Sequence, residues 1–76
     1  MESNVDNYSQ VNIQNLSSGT SASADLVATN NIGNETSYYV DVGINNSNYI
    51  NNGNGVGTAN DAYMYSTGRH LHIGNA

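Results

Sequence analysis

Tyr38-Tyr39-Val40-Asp41-Val42-Gly43-Ile44 is the stretch that decides the fold. Its large apolar residues fall on every second position, so Tyr38, Val40, Val42 and Ile44 share one face while Tyr39, Asp41 and Gly43 share the other. A period of two is that of a half-buried β-strand, because successive side chains point to opposite sides of the pleat. The apolar face is expected to point inward, which makes Val42 a core residue and Asp41 a solvated one.

The same period recurs on either side. On the C-terminal side, Asn45 to Asn60 is expected to be a long surface loop. It holds the pairs Asn52-Gly53 and Asn54-Gly55, and only Tyr49, Ile50 and Val56 as sizeable apolar groups. Alternation resumes at Asp61 to Ser66, with Tyr63 and Tyr65 on one face and Ala62 and Met64 on the other. After a Thr67-Gly68 turn, residues 69–73 set Leu71 and Ile73 against His70 and His72. On the N-terminal side, residues 24–29 alternate Leu26 and Ala28 with Val27 and Thr29, and residues 30–34 are read as a loop, since Asn and Gly tolerate positive φ. Residues 8–16 place Val11 and Ile13 together, followed by Ser17, Ser18 and Gly19 as punctuation. Four or five short strands and no helix longer than a turn predict an all-β fold, a small antiparallel β-sandwich or barrel-like module.

Composition supports this class. Asn, Gly, Ser and Thr make up 37 of the 76 residues, with 15 Asn alone, while charged residues are 9% and proline is absent. These four types are mediocre or poor helix formers, because they lose backbone entropy or hydrogen-bond locally. The formal charge of −5, with one basic residue, leaves no surface to neutralise phosphates, so nucleic acid and anionic membranes are excluded as partners. No cysteine is present to form a disulfide or a thiolate zinc site. No apolar run reaches the length of a transmembrane helix, and the first residues lack the basic region of a standard signal peptide, so no membrane insertion is expected. Ordered alternation between turn clusters also argues against an Asn-rich disordered chain.

The expected inward set is Val11, Ile13, Leu16, Leu26, Ala28, Tyr38, Val40, Val42, Ile44, Tyr63, Tyr65, Leu71 and Ile73. That is a thin core for a chain that buries only about 60% of its unfolded surface. Strand edges would also stand open. Symmetric self-association is the expected remedy.

Four segments resemble a family. Ser21-Ala22-Ser23-Ala24-Asp25-Leu26-Val27-Ala28-Thr29-Asn30, Tyr39-Val40-Asp41-Val42-Gly43-Ile44-Asn45-Asn46-Ser47, Asn60-Asp61-Ala62-Tyr63-Met64-Tyr65 and Leu71-His72-Ile73-Gly74 are similar, in this order, to segments of tailed-bacteriophage tail-fibre and virion structural proteins. The chain departs from that pattern at Arg69-His70-Leu71, where Gly-Asn-Leu is more usual, and at Gly74-Asn75 in place of a closing Gly-Thr. The resemblance implies a β module at residues 8–76, with residues 1–7 as a leader or the continuation of a fibre. It implies a homotrimer located in the virion, with itself and neighbouring fibre proteins as partners. The expected role is a non-catalytic structural module that connects or presents a host-recognition tip. The alternative is that the module is itself a receptor-binding tip for a host cell-surface glycan.

Individual residues add little chemistry. No nucleophile elbow is present, and paired acids would have to come from Glu2, Asp6, Asp25, Glu35, Asp41 and Asp61. Asp41 and Asp61 are read as solvated or turn-capping, so no catalytic residue is assigned and no enzyme is expected. The loop Gly53–Gly57 has no following Lys to cradle a phosphate, and the EF-hand spacing is missing. His70 and His72 would project the same way from a strand and could meet at a three-fold axis, but the reading preferred is two solvent-facing imidazoles. No metal and no cofactor is assigned. Asn7, Asn15, Asn34 and Asn45 begin Asn-x-Ser/Thr sequons, as chance allows at this Asn content. Tyr39 and Tyr49 are the expected exposed rings that could stack on a sugar.

Overall fold

The structure is a computed structural model describing residues 1–53 and 55–76, so the Asn54-Gly55 pair lies partly outside the described residues. The chain is all-β. Three strands, β1 (Ser23–Asn34), β2 (Ser37–Asn45) and β3 (Ala62–Thr67), form one open antiparallel sheet in that order. Among the described residues there is no helix.

The stretch at 38–44 is the central strand, and its neighbours pair in sequence order. Leu26 stands opposite Val42 and Val42 opposite Met64, while Val27 stands opposite Asp41 and Asp41 opposite Tyr65. One face therefore carries Ala24, Leu26, Val40, Val42, Ile44 and Met64. The other carries Asp25, Val27, Tyr39, Asp41, Gly43, Tyr63 and Tyr65. Tyr63 and Tyr65 thus lie with Asp41, not with Val40 and Val42 as the inward set supposes. Each strand's own alternation is as read, but the register between strands decides which faces coincide, and a one-residue slip exchanges them.

The segment 30–34, expected as a loop, belongs to β1. Pairing runs regularly to Thr29–Tyr39 and resumes at Asn34–Ser37, so Asn30 to Gly33 bulge opposite Tyr38, whose φ is +58°. Gly33 is needed there. A Cβ at that position would lie 2.7 Å from the Ser37 carbonyl oxygen and 2.8 Å from that of Tyr38. Asn34 Oδ1 then closes the turn by accepting the Thr36 N–H (2.9 Å) and hydroxyl (2.8 Å).

Residues 8–16 and 69–73, expected as strands, form none. Alternation shows what could lie on a sheet, but a strand also needs a backbone partner, and the described residues offer none to either segment. The expected core is displaced with them. Among the described residues the only buried ones are Ala22, Asp41 and Asn45, whereas Leu26 (62%), Val42 (46%), Ile44 (48%) and Met64 (54%) stay substantially exposed.

Side-chain amides hold the irregular parts in place of apolar packing. Asn45 donates to the carbonyls of Val56 (2.8 Å) and Thr58 (3.1 Å), which folds the loop 46–61 back onto the end of β2. Asn46 donates to Asn15 O (2.9 Å) and Ser17 O (2.7 Å), and Asn48 to Ser18 O (3.1 Å), which tie residues 15–18 to the same loop. Asn15, Asn30 and Asn51 each accept the N–H two residues on, the Asx-turn geometry. Asp61, read as turn-capping, accepts the Thr58 N–H at 2.8 Å.

Candidate functional site

The face carrying Asp41 holds the molecule's concentrated chemistry. β2 supplies Asp41 and Tyr39, β1 supplies Asp25 one diagonal step away, and β3 supplies Tyr63 and Tyr65. Gly43 between Asp25 and Tyr63 lets the strands' side chains close over it. Tyr39 and Tyr65 meet edge-to-face at 6.0 Å with their hydroxyls 3.4 Å apart, and Tyr63 leans on Tyr65 at 5.7 Å.

Two cavities flank this cluster. One, of about 220 Å³, is bounded by Val27, Asn34, Glu35 and Tyr39. The other, of about 160 Å³, lies under the loop, bounded by Ser23, Asn45, Tyr49 and Tyr63. Asp25, Asp41 and Tyr65 line both, so the acid pair sits between them. Neither cavity is lined by a basic residue.

Asp41 is 5% exposed, and its Oδ1 is buried with no hydrogen-bond partner. Burial, followed by the neighbouring Asp25 carboxyl, pushes Asp41 from 3.8 up to about 6, against a smaller opposing effect of Tyr65. The Tyr65 phenol is raised by its hydrogen bond with Tyr39 and by burial, and Tyr63 is raised chiefly by burial. Both phenols are therefore neutral hydroxyls at ordinary pH.

The sequence reading of Asp41 as solvated is overturned. Its face is covered because β3 brings tyrosines to it and the loop closes one end, a result of register that hydropathy does not contain. Tyr39 and Tyr49, singled out as exposed rings, instead border the two cavities. His70 and His72 lie beyond β3, exposed, with ring centroids 6.2 Å apart and perpendicular. Leu71 (42%) and Ile73 (80%) beside them are exposed rather than inward. Among the described residues no three His, Cys, Asp or Glu side chains are grouped to hold a metal. No family model, curated protein or solved structure matches the chain.

A pH dependence follows from the raised Asp41. The folded chain binds the proton more tightly than the unfolded chain, so stability is fully gained below 3.8 and is lost as pH rises through about 6. The melting temperature is expected to climb as pH falls from 7.5 toward 4.5, and Asp41→Asn is expected to flatten that profile. A melting temperature that falls steadily with acidification in both proteins would contradict the assignment.

Proposed function

We propose that the chain is a non-catalytic structural module of a bacteriophage tail fibre or similar virion appendage, assembling as a homotrimer through the apolar face of its sheet. The observation that carries this reading is the apolar row Leu26, Val42 and Met64, flanked by Ile44, lying open across three paired strands. Contiguous apolar surface of this kind marks a place of association. A second copy is the natural occupant, since both sheets present the same unbroken apolar stripe.

The surface area supports the same conclusion. The chain exposes 6321 Å² and has a radius of gyration of 14.9 Å. A compact 8.0 kDa monomer exposes about 4,450 Å², and one of this length has a radius near about 11 Å. The excess of about 1,900 Å² includes the extended N-terminal segment as well as the sheet face. It is enough for two faces of roughly 800 Å² each, and every copy in a closed ring of three has two neighbours. Three sheets with their apolar faces turned inward would close a barrel-like module, its acidic faces outward. The virion setting rests on the four segments that resemble tail-fibre proteins.

Sedimentation equilibrium of the full chain is expected to give three times the chain mass, with a melting temperature that rises with protein concentration. A folded monomer whose melting temperature is independent of concentration would sink the reading. A second reading, a receptor-binding tip for a host-surface glycan, draws on Tyr39 and Tyr49, which line the two cavities, and saturable binding of host-surface oligosaccharide would favour it.

A further inference from the structure

The acid pair leaves one oxygen without a donor in the chain. A buried carboxylate oxygen without a donor is costly, and the cost is removed only by a proton or by a donor-bearing cation. Asp41 Oδ1 is in that position: the Tyr65 hydroxyl, shared with Tyr39, acts on the Asp41 carboxyl, yet Oδ1 itself has no hydrogen-bond partner. Glu35 adds a third acid to the larger cavity, and no basic side chain offsets the three. The chain has no lysine, and its one basic residue, Arg69, lines neither cavity.

We propose that the cleft between Asp25, Asp41 and Tyr65 binds a primary ammonium group supplied from outside the chain. The choice among cations follows from the donor set. A metal ion would need a third ligating carboxylate or imidazole grouped with the pair; Glu35 shares the larger cavity, but it is not grouped with Asp25 and Asp41 closely enough to join them on one ion. A guanidinium is a planar fork that pairs best with the two oxygens of one carboxylate, whereas one oxygen of Asp41 is the group in need. An ammonium is compact and has three rotatable N–H donors. Asp41, Asp25 and a phenolic oxygen are three acceptors converging from three strands. Tyr39 and Tyr65 line the larger cavity, as does Val27, where an alkyl stem would lie. The site is built within one chain, so it does not rest on the trimer.

The groups facing Asp41 are Asp25 from β1, Glu35 from the turn, Tyr39 from β2, Tyr63 and Tyr65 from β3, and Tyr49 from the loop. The Tyr63 and Tyr65 phenols, both raised, stay neutral, so the proton that competes with an ammonium at this site is the one on Asp41. With Asp41 at about 6, about nine in ten copies carry a proton there at pH 5, and ammonium binding is expected to weaken about tenfold from its value at pH 8.

The test is calorimetric titration of the full chain with cadaverine at pH 8 and low salt, repeated at pH 5 and with Asp41→Asn, which keeps the side chain's shape and removes its charge. Saturable binding at pH 8 that weakens about tenfold at pH 5 and disappears in Asp41→Asn is the expected result. A lysine blocked at both ends, titrated in parallel, separates the sources: tighter binding of the blocked lysine points to a protein side chain, and tighter binding of cadaverine to a free amine. Absence of saturation at pH 8, equal binding by Asp41→Asn, or a response to calcium chloride but not to cadaverine would overturn the proposal.

Discussion

Val42→Asp is expected to dissolve the assembly while leaving the three-stranded sheet folded. Val42 sits at the centre of the open apolar face, with Leu26 on one side and Met64 on the other, and it is 46% exposed in the single chain. In that chain an aspartate there has water beside it and costs little. In an assembly closed through this face, every copy would bring an unpaired carboxylate into apolar surroundings, at several kcal/mol each. The association constant should fall by more than about a thousandfold, equivalent to about 4 kcal/mol. Sedimentation equilibrium reads the mass and far-ultraviolet circular dichroism reads the sheet. An unchanged mass would mean that this face is not the contact, and loss of the β signal at low concentration would mean that it is core.

Gly43→Ala is the second substitution with a large expected effect, here on the fold itself. A Cβ at Gly43 would lie 2.6 Å from Asp25 Cβ, 2.7 Å from the Ala24 carbonyl oxygen and 2.7 Å from the Tyr63 hydroxyl. The hydroxyl can swing away, but the Ala24 carbonyl belongs to a strand already paired with β2 and can retreat only by opening the ladder. Overpacking of this sort costs about 3 kcal/mol, or roughly 15 °C in a domain of this size. Gly74→Ala is the control, since nothing lies within 4 Å of its added Cβ. Equal melting temperatures for the two variants would show that β1 and β3 do not approach β2 as closely as described.

These two positions also show what could be read from the residues alone. The strand at 38–44 was legible because period-two alternation is a property of one segment. The apolar face was legible on β1 and β2 but not on β3, where Met64 takes the place expected of Tyr63 and Tyr65. Its exposure was not legible, because hydropathy says which side seeks cover and not whether this chain supplies it. The acid pair was not legible. Asp25 and Asp41 lie far apart in the chain and meet only through the Val27–Asp41 register, and register is set between strands. The one available hint was an aspartate in the middle of a Val-rich strand, with tyrosines at the same period downstream. Asn30 to Gly33 misled for a related reason, since residues suited to a loop are equally suited to a bulge inside a strand.

The amide ties of Asn45, Asn46 and Asn48 bear on how the chain responds to cold. Heat capacity on unfolding comes from newly wetted apolar area and is reduced by newly wetted polar groups. A chain whose most buried side chains, among the described residues, are an aspartate and an asparagine exposes little of the first kind and much of the second. Its own unfolding therefore carries a small heat-capacity change and a flat stability curve, and the usual loss of stability on cooling is muted. The apolar surface that would restore curvature lies on the open face of the sheet. Sensitivity to low temperature consequently resides in the contact between copies, and chilling should loosen that contact before it disturbs any strand.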